Sequence, residues 1–165
     1  FQAFLNWFCR CDVIKQYGVL FNKEPEAETL ISKQKSEFSQ LTDQLKGVKK
    51  KRVVYLIWRN PYMTIGNDTF INYLLKIAGF ENVFANKSRY PELQLESLKD
   101  LAIDYVFLSS EPYPFNEKHF KDFEGIIDKS KLIKVDGEYF SWYGSRLLGA
   151  ATYFKHLRAS LGLGL

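Results

Sequence analysis

Val53-Val54-Tyr55-Leu56-Ile57-Trp58-Arg59-Asn60-Pro61-Tyr62-Met63 decides the fold. Its first six residues form an unbroken apolar run, β-branched or aromatic at most positions. That is the signature of a strand buried on both faces of a parallel sheet. The run stops at a cluster of aromatic and polar residues stiffened by a proline. Beyond it, Phe70, Ile71, Leu74, Leu75 and Ala78 recur with a helical period, with Asn67 or Asp68 as the expected cap and Gly79 as the stop.

The same alternation continues downstream. Further strands are expected at Asn82 to Phe84, Asp104 to Leu108 and Lys131 to Val135, and further helices at Leu95 to Leu101, His119 to Ile127 and Ser145 to Ser160. Strands alternating with helices imply parallel pairing through right-handed crossovers, hence an α/β lobe in three layers with a parallel sheet in the middle. Three more aromatic and polar clusters follow the first. They are Ser88-Arg89-Tyr90-Pro91, Ser109-Ser110-Glu111-Pro112-Tyr113-Pro114-Phe115 and Tyr139-Phe140-Ser141-Trp142-Tyr143-Gly144-Ser145-Arg146. Segments that leave the carboxyl ends of parallel strands line one edge, where open α/β sheets bind ligands. Trp58, Tyr62, Tyr90, Trp142 and Tyr143 would give that edge flat apolar walls with polar tips. Arg59, Arg89 and Arg146 would meet carboxylates, amides or phosphates, and Pro61, Pro91, Pro112 and Pro114 would stiffen the loops. The competing reading of any one of these rings is packing in a core or against its own loop.

Upstream, residues 1–46 read as a helical segment. Phe4, Leu5, Phe8, Val13, Ile14 and Tyr17 make a loose apolar stripe with Gly18 as its stop. A long second helix follows over about residues 22–46, with Asn22 as cap and Pro25 in its first turn. Ala27, Leu30, Ile31, Phe38, Leu41 and Leu45 form its apolar face, and Gly47 its end. Residues 52–160 form the α/β lobe, and Leu161 to Leu165 read as a frayed tail.

Several function classes are disfavoured by composition. The 165 residues suffice for a real core, and the net charge is only +4. Its densest part, Lys46 with Lys49, Lys50, Lys51 and Arg52, lies between elements without interleaved aromatics, so it reads as a solvated junction and not a nucleic-acid patch. Cys9 and Cys11, with only His119 and His156 to join them, do not make a zinc site and read as buried or half-exposed thiols. No apolar run approaches the roughly 20 residues of a bilayer span, and Phe1 to Cys11 has neither the basic start nor the cleavage site of a signal peptide. Ser109, Ser110 and Ser141 lie on the functional edge, but both histidines fall in helix patterns and read as surface residues, away from any strand end. Gly66 and Gly144 stand alone, without a phosphate loop. Two alternatives to ligand binding stay open. One is a hydrolase-like enzyme with Glu111 or Asp136 as base; the other is an interaction module that self-associates through an exposed apolar face.

The order of the motifs carries a resemblance. Trp58-Arg59-Asn60-Pro61-Tyr62-Met63-Thr64-Ile65-Gly66 comes first, then Gly79-Phe80-Glu81-Asn82-Val83-Phe84 and Arg89-Tyr90-Pro91-Glu92. Leu108-Ser109-Ser110-Glu111-Pro112-Tyr113-Pro114-Phe115 follows, and Val135-Asp136-Gly137-Glu138-Tyr139-Phe140-Ser141-Trp142-Tyr143-Gly144-Ser145-Arg146 closes the series. In this order they resemble the helical-backbone metal-receptor superfamily, the class III periplasmic substrate-binding proteins of ABC importers for vitamin B12, iron–siderophores and haem. Cobalamin-binding proteins are the nearest match, and the resemblance spans about residues 12–158. It implies two α/β lobes joined by one long helix, with ligand held between the lobes. Residues 22–46 would be the connecting helix and 52–160 the C-terminal lobe, with the N-terminal lobe absent from this sequence.

By the same resemblance, Trp58, Arg59, Tyr62, Met63 and Tyr90 would face the ligand. Asp136, Trp142 and Arg146 fall in the segment that supplies polar ligand contacts in the cobalamin binders. Glu111 and Tyr143, from the same edge, complete the candidate ligand-binding set. Glu96 matches an acidic knob that docks onto arginines of the membrane permease. The ligand would be cobalamin, haem or an iron–siderophore carried as an intact chelate, with no resident cofactor and no catalysis. The scarcity of histidine agrees, because a bare-metal carrier would want His and carboxylate clusters. The implied location is the periplasm, or the cell envelope by a lipid anchor. A lone lobe would also expose half a cleft through which it could self-associate.

Overall fold

The computed structural model describes residues 2–165, with side chains from Cys11 onward except that of Ser145. In chain order the elements are α1 (Gln2–Leu20), α2 (Glu24–Gln44), β1 (Lys51–Leu56), α3 (Phe70–Ile77), β2 (Phe80–Asn82), β3 (Tyr105–Ser109), β4 (Leu132–Val135), α4 (Glu138–Ser141) and α5 (Ser145–Ser160). Short 3-10 segments occupy Leu95–Asp100, Glu117–Phe123 and Lys129–Lys131. Two compact units result. Lys49–Ser141 is the α/β unit, and the residues up to Val48 with Trp142–Leu165 form a helical one.

The α/β unit is built on a parallel sheet in the order β2-β1-β3-β4. Val53 sits opposite Tyr105 and Leu56 opposite Leu108, while Ser109 sits opposite Val135. The chain leaves β1 towards one side to make β2, then returns past β1 to make β3. The switch point of this α/β sheet therefore lies between β1 and β3, where a crevice opens at the carboxyl ends.

Burial explains the unbroken apolar runs. Val53 to Leu56 and Val106 to Leu108 are fully buried, so both faces of the central strands are covered. Val54, Leu56, Val106, Leu108 and Leu132 cluster with Leu93, Leu95, Leu98, Phe115 and Phe123. Elsewhere in the unit, Phe80 meets Phe107 edge-on at 5.0 Å and Tyr55 meets Phe140 at 5.2 Å. Each such side chain contributes about 1.5–3 kcal/mol by leaving water.

The strands lie close to where the sequence places them, and the offsets have local causes. β1 ends at Leu56 because the Ile57 N–H turns to donate to the Met63 carbonyl and the Met63 N–H donates to that of Trp58. β2 ends at Asn82 because its side-chain oxygen accepts the Phe84 N–H. The cap of α3 is Thr69, whose Oγ1 accepts the Asn72 N–H at 3.2 Å. The Asp68 carboxylate instead accepts the Arg89 N–H, and Asn67 takes part through its backbone carbonyl, which accepts from the Asn72 amide. The helices expected at Leu95 to Leu101 and His119 to Ile127 are shorter 3-10 segments.

In the helical unit α2 packs against both α1 and α5. Its buried stripe is Ala27, Ile31, Gln34, Phe38 and Leu41, whereas Leu30, expected inward, is 42% exposed. Gly18 does not stop α1, which runs on to Leu20. A Cβ at Gly18 would lie 2.8 Å from the Ala27 Cβ, so this glycine lets α1 and α2 close on each other. Asn22 adopts a positive φ of 53° in the turn, and the cap position falls to Lys23, which makes no side-chain cap bond. Pro25 lies in the first turn as expected. Cys11 is a buried free thiol, while Phe4, Leu5, Phe8 and Cys9 lie outside the described side chains.

The tail expected to fray is held. Arg158, 1% exposed, donates from Nε and Nη2 to the Gly164 carbonyl at 3.1 and 2.6 Å, and Gly162 turns with φ 66°. Burial pulls the Arg158 guanidinium below its ordinary pKa. Among the described residues no helix is long and apolar enough to cross a membrane.

Candidate ligand-binding face

The carboxyl ends of β1, β3 and β4 converge on one set of loops in the α/β unit. Leaving β1, the chain makes a tight loop from Trp58 to Met63. It then runs antiparallel to residues 87–93. Leu93 donates to Tyr62, Thr64 to Pro91, Gly66 to Arg89 and Asn67 to Lys87, all backbone bonds of 2.7–3.0 Å. This ladder brings the Arg89-Tyr90-Pro91 cluster beside the Trp58 cluster, although β2 separates them in sequence. Tyr90 is 43% exposed, and the Arg89 guanidinium lies 5.8 Å from its ring centre.

The exit of β3 is tied to both neighbours. The Tyr113 N–H donates to the Ile57 carbonyl, and the Tyr113 ring meets Trp58 edge-on at 5.8 Å. Ser109 Oγ donates to the Glu111 carbonyl at 2.6 Å and lies 3.0 Å from the Tyr55 hydroxyl. On the other side the Ser110 N–H donates to the Val135 carbonyl, and the Gly137 N–H donates to Ser110 Oγ at 2.9 Å. Gly137 is required by this close approach, because a Cβ there would run into Ser109 Oγ and come within 2.9 Å of the Glu111 nitrogen. Asp136 turns its Oδ1 onto the Glu138 N–H at 3.1 Å. Glu111 and Asp136 are both half-buried at this edge.

A polar frame lies alongside. Arg59 Nε donates to Asp122 at 2.8 Å and the Tyr62 hydroxyl donates to the same oxygen at 2.7 Å. Burial raises the Asp122 carboxyl, but the bonds from Arg59 and Tyr62 outweigh it and hold the group below the usual carboxylate range. Burial, reinforced by the bond to Asp122, pushes the Tyr62 phenol up to about 12. The bond to Asp122 in turn raises the Arg59 guanidinium above its ordinary value. The Tyr62 ring stacks on Phe115 and meets Phe123 edge-on, so both its ring and its hydroxyl are engaged within the protein.

His119 is 5% exposed, not the surface residue its helix pattern suggests. Its Nδ1 accepts the Asn116 N–H at 3.1 Å, which puts the proton of the neutral ring on Nε2, 3.2 Å from the Tyr113 hydroxyl. Burial, helped by the charges of Arg59 and Lys118, lowers its pKa and keeps it neutral. Both ring nitrogens are thus occupied, and neither is left to activate a serine. His156 is exposed on α5. Among the described residues no group of three or more His, Cys, Asp or Glu side chains comes together to hold a metal.

The structure therefore divides the candidate set. Trp58, Tyr62, Met63, Arg59, Glu111 and Asp136 belong to the three exits, with Tyr90 on the ladder beside them. Trp58, 40% exposed, offers a ring; Arg59 and Tyr62 act as framework; Met63 is half-buried and pairs through its backbone. Glu96 is exposed in the first turn of its 3-10 segment. Trp142 and Tyr143, just before α5, and Arg146 in its first turn lie in the helical unit, and all three are exposed. Asp122, His119 and the Tyr113 contacts escape sequence reasoning, since nothing local marks a single acid or histidine in a polar segment as a hub.

A family model described as "Periplasmic binding protein" matches residues 8–127. No curated protein sequence matches the chain. Among solved structures the chain resembles an ABC transporter substrate-binding protein from Listeria monocytogenes, with 20% identity and a TM-score of 0.70, covering 89% of this chain and 62% of that one. A periplasmic heme-binding protein from Pseudomonas aeruginosa gives 16% identity and a TM-score of 0.77, covering 93% and 61%. A protein of an ABC-type Fe3+-hydroxamate transport system from Saccharomonospora viridis gives 17% identity and a TM-score of 0.70, covering 94% and 56%. At these identities the likeness is one of fold. The chain spans about three fifths of the length of the structures it matches.

Proposed function

This chain belongs to the periplasmic binding protein family, and from that premise we propose that it supplies a ligand-binding face of the substrate-binding component of an ABC importer for a metal chelate. The observation that carries the reading is the convergence of the β1, β3 and β4 exits at the sheet's switch point. There Trp58 is presented on Tyr113, and the exits of β3 and β4, which carry Glu111 and Asp136, are tied together through Ser110 and Gly137. A half-exposed indole held edge-on by a second ring suits a flat macrocycle. Solved structures of this fold include proteins named for haem and for Fe3+-hydroxamate. The order of the sequence motifs favours cobalamin within that chelate class. The engagement of both His119 nitrogens supports binding without covalent change.

Calorimetric titration of the complete translated product with cyanocobalamin, hemin and a ferric hydroxamate tests this. We expect one of the three to bind. Trp58→Ala should weaken that binding by about 1–3 kcal/mol for the lost aromatic burial. Binding of none of the three would remove the chelate assignment, and unchanged affinity in Trp58→Ala would leave that ring as a surface or packing residue only.

We further propose an extracytoplasmic location, free or anchored by lipid at the envelope, and a permease partner that meets Glu96. Charge reversal at this exposed side chain, Glu96→Arg, should slow uptake at least severalfold in cells while leaving ligand affinity unchanged. Uptake at the wild-type rate would remove Glu96 from the docking surface.

A further inference from the structure

We propose that the helical unit carries a second binding site, for a small aromatic molecule bearing one hydrogen-bond acceptor such as a ketone. Nothing in the strand-end face bears on it. The site is a half-open cavity of about 510 Å³ lined by Val13, Ile14 and Tyr17 of α1, Gln34 of α2, Tyr143 just before α5 and Leu147 in its first turn. All of these belong to one compact unit.

Gln34 gives the cavity its chemistry. It occupies the buried stripe of α2 between Ile31 and Phe38, where the helical period calls for an apolar side chain. It is 3% exposed, it lines the cavity, and among the described residues its Nε2 has no hydrogen-bond partner. A buried amide donor without a partner is unfavourable unless something completes it. An acceptor atom on a bound molecule would do so. Around this donor the walls are aliphatic or aromatic. Val13, Tyr17 and Tyr143 are each about half exposed, at 46%, 58% and 58%, so the mouth is lined by rings and a branched side chain. The volume falls inside the roughly 300–1,000 Å³ usual for small-molecule sites. A ring system would lie between Tyr17 and Tyr143 with its acceptor on Gln34.

The naphthyl ketone prodan, whose emission shifts to the blue in apolar surroundings, reports on this site in the 165-residue chain. The expected result is a saturable blue shift at one prodan per chain. Gln34→Leu should weaken prodan binding about five- to tenfold, the loss of one hydrogen bond. The same variant should bind dimethylaminonaphthalene, which lacks the ketone, at least as well as the wild type. Ile14→Trp, which fills the cavity, should abolish both signals. No blue shift in the wild type would overturn the proposal, and so would equal prodan affinity in Gln34→Leu. A blue shift that appears only as the chain dimerises in sedimentation would overturn it too, assigning the apolar face to a second copy. Loss of chelate binding would leave every one of these outcomes unaffected, so the two readings fail separately.

Discussion

Gly66→Ala should cost about 3 kcal/mol of folding stability, at the upper end of what overpacking a closed site does. Gly66 lies in the ladder between residues 62–67 and 87–93, its N–H donating to the Arg89 carbonyl at 2.7 Å. A Cβ there would come within 2.5 Å of the Lys87 carbonyl oxygen and within 2.6–2.7 Å of two Ser88 backbone atoms. Backbone cannot step aside as a side-chain tip can, so relief requires the two segments to separate. Separation breaks the register that sets Tyr90 beside the Trp58 loop. A urea midpoint that falls markedly, with an unchanged slope, is the expected readout. A midpoint within error of the wild type would show that the ladder yields easily and does not fix the face.

Asn82→Leu should be comparably damaging, by about 3 kcal/mol, for a different reason. Asn82 is 2% exposed at the end of β2. Its amide donates to the Ile65 carbonyl at 2.9 Å and to Asn72 Oδ1 at 3.1 Å, and its own oxygen accepts the Phe84 N–H at 3.0 Å. One side chain thus joins β2, α3 and the segment leading into Gly66. Leucine has the same branched heavy-atom skeleton, with bulkier methyl tips, but makes none of these bonds, so it strands a carbonyl and an amide away from water. In thermal melts the loss should appear as a drop of roughly 10 °C. Asn82→Asp should recover part of it by keeping the acceptor for Phe84. A melt unchanged in Asn82→Leu would show that water satisfies the stranded groups.

These two positions also show what was legible in the sequence. The apolar run from Val53 announces a doubly buried strand because a central parallel strand leaves no polar face to alternate with. The helix Ser145–Ser160 is found with the bounds expected of it. The edge formed by the clusters after β1 and β3 follows from parallel pairing alone. What the sequence hides is contact at a distance. Gly66 reads as a solitary glycine until residues 87–88 are laid against it, and Gly18 reads as a helix stop until α2 closes on it at Ala27. Trp58 and Tyr62 look equivalent as aromatics four residues apart, yet one ring is presented on Tyr113 and the other is packed between Phe115 and Phe123. Asn67, Asp68 and Thr69 are all competent caps, and it is Thr69 whose oxygen meets the Asn72 N–H, while the Asp68 carboxylate accepts the Arg89 N–H. Asp122 has no local signature at all. It matters only because Arg59 and Tyr62 reach it from sixty residues away.

The central claim is that the strand-end loops of the α/β unit form the ligand face. Backbone amide chemical-shift mapping during titration with cyanocobalamin, hemin or a ferric hydroxamate tests it most directly. The account predicts that shifts cluster at Trp58 to Met63, Ser110 to Tyr113, and Asp136 with Gly137, with Lys49 to Arg52 and Lys131 at the opposite strand ends unmoved. A ligand that bound while shifting the amino-end residues and leaving Trp58, Ser110 and Gly137 unchanged would contradict it.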